Sequence, residues 1–349
     1  MASNAQRRIK HVSYAKYGYI FIIPFFLIYF IFSFYPLVNT IKYSFEKNNS
    51  KEAIIYEGEF VGVENYRHIL TTATKGAKDY YTHAGMNEAF SRALGNTFKI
   101  WIMNFFPQIC LSMLLAVWFT DAKLKIPGKG IFKVVMYMPN IITAASVAVL
   151  ALKMFSNDSF SIVNNTLLNL GWIDKPIQFL ADMKLKRTLI AGIQTWMWFG
   201  NTMILLMSGI AGINPSLFEA ANIDGANSRQ VFFRVTVPLL RPILLFTLVT
   251  SLIGGMQMFD IPYLFNPGTN RSPGTQTIAT FIYQIYMESR IKNTGHSGAA
   301  SVVLFVITAA LGSIVFFINR DKDEIANKKY IKKLRKQAAA KKGYGGLGL

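Results

Sequence analysis

Apolar residues in this chain gather into six long stretches separated by polar connections. The stretches run from Gly18 to Phe45, Leu94 to Phe119, Ile131 to Phe155, Leu189 to Ile213, Leu239 to Phe265 and Gly298 to Ile318. A bilayer core about 30 Å thick takes roughly 20 mostly apolar residues per helix. Each stretch therefore predicts a membrane-spanning helix, and the expected fold class is an all-α membrane protein with six transmembrane helices. The expected organisation is a polar leader over residues 1–17, a transmembrane domain over 18–319 and a tail over 320–349. Pro24 and Pro36 are expected to kink the first span or mark its ends, and Pro139 to bend the third. The run FVGVENYRHIL in the first long connection has the aromatic and branched residues of an ordered segment. NTLLNLGW is the most apolar part of the connection over 156–187.

Composition sharpens the picture. Apolar residues make up 52% and charged residues only 16%, which does not suit a water-exposed domain. The formal charge of +19 raises the question of nucleic acid, but its placement answers otherwise. Arg7, Arg8, Lys10 and Lys16 precede the first span. Lys123, Lys125 and Lys129 fill the second connection, and Arg229, Arg234 and Arg241 lie in or beside the fourth. Ten Lys or Arg follow the last span. All of these fall on one side of a six-span chain. The first connection on the other side, residues 46–89, carries five basic residues against seven acidic ones. The positive-inside rule then puts both termini in the cytoplasm. The basic tail is expected to act as a solvated anchor, with regulated docking the alternative, each cation contributing about 1 kcal/mol beside anionic membrane lipids.

Several chemistries find no support. The first apolar stretch is too long for a signal-peptide core and no small-residue cleavage site follows it, so it predicts a retained helix. Cys110 is the only cysteine, which excludes an intrachain disulfide and a Cys/His metal cluster. No G-x-x-x-x-G-K-[ST] loop is present, so the chain has no evident means of binding ATP, and no cofactor is expected. His11, His68, His83 and His296 are scattered along the sequence, unlike the clustered groups of a membrane enzyme. Lys99, Lys153 and Asp260 lie near span ends, where an ion-coupled carrier would place ionisable groups at mid-membrane.

The most informative connection is the fourth, residues 214–238. Asn214 can cap a helix whose first residue is Pro215. The helix SLFEAANI then stops at Asp224–Gly225, where glycine permits a left-handed turn. Asn227 or Ser228 can cap a second helix that reaches Pro238. Ala220, Ala221, Gly225 and Ala226 keep the surface small enough to enter a cleft on another protein, and Glu219 can meet a basic residue there.

This run, EAANIDGANSRQVFFRVTVPLLRP, closely resembles the EAA loop of ABC importer permeases, the coupling helix that docks on the cytoplasmic ATPase. The resemblance extends over about 300 residues and includes YIFIIPFFLIYFIFSFYPLVNTIKYSF, FVGVENYRHIL, GNTF, IFKVVMYMPNII, GINPSLFEAANIDGA, QMFD and GAASVVLF. These look like the carbohydrate-importer branch, and YPLVNTIKYSF like the first permease of the usual unlike pair. The resemblance implies the ABC type I importer permease fold, no catalytic residue, a second unlike permease, two ATPase subunits and an extracytoplasmic solute-binding protein. It assigns Glu219, Ala220, Ala221, Asp224, Gly225 and Ala226 to ATPase coupling. After QMFD the chain departs from the family's LTxGGP segment and reads LFNPGTNRSPGTQT.

For the solute path, span four places Gln194, Trp198 and Asn201 on one helix face, and span five places Ser251 and Gly255 one turn apart. In the maltose-type branch the sugar-contacting positions match Gln194, Met197, Trp198, Asn201, Ser251 and Gly255, although not every residue type agrees. Aromatic rings suit the C–H faces of a sugar, and amides and hydroxyls suit its hydroxyl groups. The alternative at each position is helix packing, because polar side chains also join transmembrane helices at about 0.6 kcal/mol per hydrogen bond. Gln257 and Asp260, towards the outer end of span five, suit a gate or a bundle contact. The predicted function is permeation of a carbohydrate in an ATP-driven importer. Glycerol 3-phosphate or another solute, and ion-coupled carriage, are the alternatives.

Overall fold

The first apolar stretch forms one uninterrupted helical rod. In the computed structural model α1 (Ala15–Tyr29) passes through a π-helical turn (Phe30–Phe34) into α2 (Tyr35–Ser44). A proline ring collides with the carbonyl four residues back and supplies no N–H. The wider π turn just before Pro36 relieves both defects, so Pro36 does not end the span, and Pro24 lies within α1 without ending it. A second π turn, Phe232–Thr236, precedes Pro238 in the same way.

The structure describes residues 15–47, 49–50, 58–71, 83–121, 124–266, 273–288, 292–318, 330–331 and 334. Most of the leader, Lys123, the PGTNRS part of the third outer connection and nearly all of the basic tail lie outside the described residues. After α2 come the two-residue strands β1 (Glu46–Lys47), β2 (Asn49–Ser50) and β3 (Glu59–Phe60), then α3 (Glu64–Leu70), α4 (His83–Thr120), α5 (Lys129–Tyr137), α6 (Ala144–Met154) and α7 (Ile162–Asn169). The chain continues through α8 (Met183–Ala211), α9 (Pro215–Ile223), α10 (Ser228–Val231), α11 (Val237–Leu239), α12 (Arg241–Met256), α13 (Asp260–Leu264), α14 (Ile278–Tyr283), β4 (Lys292–Asn293) and α15 (Thr294–Ile318).

Among the described residues five segments are long and apolar enough to cross a bilayer: Tyr17–Ser44, Gly85–Thr120, Met183–Ala211, Arg241–Leu264 and Thr294–Phe317. The third expected span is instead a broken pair, Lys129–Asn140 and Ala144–Met154, meeting at 88°. Six spans result only if that pair counts as one. Pro139 lies in a 3-10 turn, Met138–Asn140, and Thr143 restarts the helix by accepting the Ser146 N–H. Other boundaries also shift. α4 begins eleven residues before Leu94, span five is interrupted over 257–259, and the last helix starts at Thr294 rather than Gly298.

The chain divides into two compact units. The first comprises Met1–Ser91 and Phe281–Val303. Its long helix from Tyr17 to Ser44 buries none of its most apolar window, as suits a rod bathed in lipid or covered by another subunit. The FVGVENYRHIL run is ordered, as expected: β3 pairs antiparallel with β1, and α3 follows. Asn65 donates to the carbonyls of Ser44 (2.9 Å) and Glu46 (3.0 Å). Gly298 lets the start of α15 lie against the end of α2, and Gly295 lets it lie against Glu46 of β1 and Asn65 of α3. An added Cβ at Gly295 would meet Asn65 Nδ2 at 2.8 Å, and one at Gly298 would meet the Thr40 carbonyl at 3.0 Å.

The expectation of scattered histidines is corrected here. His68 Nδ1 and His296 Nε2 are 3.2 Å apart although 228 positions separate them. Asn293 Oδ1 accepts the backbone N–H of His296 and faces its Nδ1 at 2.8 Å. Asn293 Oδ1 can only accept, so it takes a hydrogen bond from His296 Nδ1–H, and the two rings share one further hydrogen bond between His68 Nδ1 and His296 Nε2. The pair closes the contact between α3 and the start of α15.

The second unit comprises Arg92–Thr280 and Leu304–Leu349. Two apolar clusters organise it. One joins Ile100, Val147, Ala148, Ile190, Met197 and Met258. The other joins Met113, Phe119, Phe199, Met203, Leu206 and Leu240. α4 and α8 are laced by Thr195 to Asn104 (3.1 Å), Gln108 to Thr202 (2.8 Å) and Ser112 to the Phe199 carbonyl (2.7 Å). Asn104 and Gln108 are thus packing residues of span two. The connection over 156–187 is also built. Asn164, fully buried, donates to the carbonyls of Ser156, Asp158 and Ile177 and accepts from the Ile177 N–H.

Candidate functional site

The segment after α8 folds as its sequence chemistry dictates. Asn214 caps α9 by accepting the Ser216 N–H, and Pro215 occupies the first helical position, where no N–H is needed. α9 closes in a Schellman motif: Gly225 N–H donates to the Asn222 carbonyl (3.1 Å) and Ala226 N–H to the Ala221 carbonyl (2.9 Å). Gly225 carries the φ of +74° that this motif requires. Asn227 and Gln230 then form a reciprocal capping box at the start of α10.

This helix–turn–helix is presented to its surroundings. Glu219, Ala220, Asp224 and Gly225 are exposed, and Ala221 and Ala226 are half-buried. Glu219 forms no ion pair among the described residues. Ile223, at the end of α9, is 86% exposed. Sequence reasoning passed over it, although a lone branched apolar residue in an otherwise small and polar run is the signal that could have found it. The arrangement offers a short rigid helix, an apolar tip and a free carboxylate.

The path positions separate into two groups. On α8, Gln194 and Met197 are buried, whereas Trp198 (46% exposed) and Asn201 are not. Trp198 Nε1 donates to Gln194 Oε1 at 3.2 Å, so the expected face does bring these two together. Thr195, Phe199 and Thr202 face α4. Trp198 and Asn201 are therefore left on the uncovered side of α8. Met197 packs in the apolar cluster with Met258 and Ile261.

On α12, Ser251 and Gly255 meet a residue that sequence reasoning missed. Trp101 of α4 donates from Nε1 to Ser251 Oγ at 3.2 Å. An added Cβ at Gly255 would overlap the Trp101 ring, lying 2.7 Å from Cγ and 3.0 Å from Nε1. Phe105 stacks on the indole, with centroids 5.5 Å apart. Among the described residues no hydrogen bond links the α8 group to the α12 group. Gln257 lies exposed in the break between α12 and α13, and Asp260 opens α13.

Two basic residues near the start of α8 hold the segment that follows α13. Lys186 Nζ donates to Asn266 Oδ1 at 2.6 Å, and Arg187 donates to the Gly274 carbonyl and to Asn96 Oδ1. Asn96 in turn donates to the carbonyls of Pro273 and Gln276.

Comparison with known proteins bears on the fold and the family. The lactose transport system permease protein of Rhizobium radiobacter is 28% identical over 328 residues, covering 92% of this chain and all of the relative. The arabinooligosaccharides transport system permease protein of Halalkalibacterium halodurans is 30% identical over 292 residues, 83% of each chain. The structure of a bacterial alginate ABC transporter, solved in complex with an alginate pentasaccharide-bound periplasmic protein, has a chain that superposes with a TM-score of 0.70. The match is 22% identical and covers 90% of this chain and 98% of that one. The fold is that of the ABC type I importer permeases. Residues 86–321 match the model of the binding-protein-dependent transport system inner membrane components, and the chain belongs to that family.

Proposed function

We propose that this chain is one of two unlike permease subunits of an ATP-driven importer and that its solute is a carbohydrate. The observation that carries the solute path is the uncovered face of α8. An exposed amide at Asn201, next to the half-exposed indole of Trp198, is costly against lipid. It suits a water-filled cavity between two permeases. An indole and two amides offer a stacking face and hydrogen bonds, which is the chemistry a sugar ring takes, and the path set contains no cation to hold a phosphate. Relatives that carry lactose and arabinooligosaccharides support the same solute class.

In this scheme the basic connections and both termini lie in the cytoplasm. An extracytoplasmic binding protein delivers the sugar, as the periplasmic protein seated on the alginate transporter suggests. ATP is hydrolysed on two separate ATPase subunits. Each ATPase receives one coupling segment, here Glu219, Ala220, Ala221, Asp224, Gly225 and Ala226 with Ile223 at the tip. Closure of the ATPases moves these segments, and the permeases rock so that a mid-membrane site opens to one side and then to the other. In the assembled complex, Trp198→Ala and Asn201→Ala should each cut sugar uptake while subunit stoichiometry stays unchanged. Normal uptake in both variants would reduce this face to packing and remove the path assignment.

A further inference from the structure

Ser251 and Gly255, the α12 half of the path proposed above, are already occupied by a side chain of this protein. The Trp101 indole lies where a Gly255 side chain would be, and its N–H is engaged by the Ser251 hydroxyl. It is stacked against Phe105, one turn further along α4. The indole fills space that a sugar ring would need, and its N–H uses the hydrogen-bonding group that a sugar hydroxyl would take. We infer that Trp101 is a specificity-determining plug: a sugar reaches Ser251 only when the indole leaves the notch, and the size of that notch limits the solute. This rests on the path reading above.

The alternative is that Trp101 merely packs α4 on α12. The two roles differ in consequence. A packing residue affects assembly and leaves solute selection alone. A plug can be removed from either side of the contact, because Gly255→Ala fills the notch and evicts the ring, a side chain with rotamer freedom, just as Trp101→Ala deletes it. Gly254→Ala is the control, since its added Cβ meets nothing within 4 Å.

The test uses the full complex with its ATPases, second permease and binding protein, in a Cys110→Ala background. Ser251→Cys is labelled with a small methanethiosulfonate. If the plug is open about a tenth of the time, labelling is slowed about tenfold. Adding Trp101→Ala or Gly255→Ala should restore that factor, and Gly254→Ala should not. Equal labelling rates in all four backgrounds would overturn the plug. With Ser251 intact, Trp101→Ala, which empties the notch, should raise uptake of a longer saccharide relative to a shorter one, while Trp101→Phe, which keeps a ring in the notch, should stay near the parent ratio. Faster labelling with an unchanged saccharide ratio would overturn the role in specificity. If the parent complex carries no saccharide at all, the carbohydrate reading fails, and the labelling rates still support or overturn the plug.

Discussion

Gly200→Ala tests how the bent third span is seated. Gly200 lies on α8, where the end of α5 crosses it. An added Cβ would overlap the Met136 carbonyl oxygen and stand 2.8 Å from the Met136 carbonyl carbon and 2.9 Å from Tyr137 Cα. All three are backbone atoms, so no side chain can rotate away. Ordinary carbon contacts lie at about 3.5–4.0 Å, so α5 must retreat by roughly 1 Å from α8. Overpacking of this kind costs about 1–3 kcal/mol. The retreat would also stretch the 3.4 Å bond from Asn140 Nδ2 to the Met197 carbonyl, one turn before Gly200. Gly192, on the same helix, supplies the contrast, because a Cβ there meets nothing within 4 Å. At that position alanine's helix propensity should stabilise by about 0.5–1 kcal/mol. Denaturant titration of the purified chain in detergent should therefore move in opposite directions for the two Gly→Ala variants. A Gly200→Ala protein as stable as the parent would refute the close seating of α5 on α8.

Five further outcomes are expected. Ile223→Ala removes an exposed apolar tip whose burial on a partner would contribute about 1.5–3 kcal/mol, so ATPase co-purification should weaken roughly ten- to hundredfold; unchanged attachment would remove α9 from the interface. Ala220→Trp tests close approach at the same surface without straining the left-handed turn at Gly225, and it should also reduce attachment. In a Cys110→Ala background, an impermeant thiol reagent should label Asp174→Cys but not Ser228→Cys in intact cells, and the reverse would invert the topology. Asn164→Ala should release the 156–181 connection, seen as faster amide exchange at Ile177 in a protein that still assembles. Asp158 in that connection has its pKa held below the ordinary aspartate value, first by the Ser156 hydroxyl and then by the N–H of Phe160. A depressed folded-state pKa means its turn is fully formed at neutral pH and loosens only as pH falls through that lowered value. Amide protection at Phe160 that faded between pH 7 and 6 would contradict this sign.

Much of the segment after α8 was legible because its determinants are local. Asn214, Pro215, Gly225 and Asn227 each act on backbone within a few residues, and the caps and the left-handed turn stand where their chemistry puts them. The apolar stretches were legible for a similar reason, since length and hydropathy suffice. The 88° break was not. Pro139 marks the place but does not give the angle, and the close approach of α5 to α8 is at Gly200, about sixty residues later. Trp101 was invisible for the same reason: its partners, Ser251 and Gly255, are about 150 positions away, and neither looks like a notch until an indole fills it. His68 and His296 look scattered because only the folded first unit joins them. The start of α4 at His83 was missed because its first turns are too polar to register as a span.

Purification of the complex from native membranes through a tag on this chain, followed by ATP hydrolysis in proteoliposomes, tests the central claim most directly. The account predicts that an unlike permease and two copies of an ATPase co-purify. It also predicts that the binding protein loaded with a saccharide stimulates hydrolysis and uptake together, while amino acids and glycerol phosphate do not. Recovery of the chain without an ATPase, or stimulation confined to a non-carbohydrate solute, would contradict it.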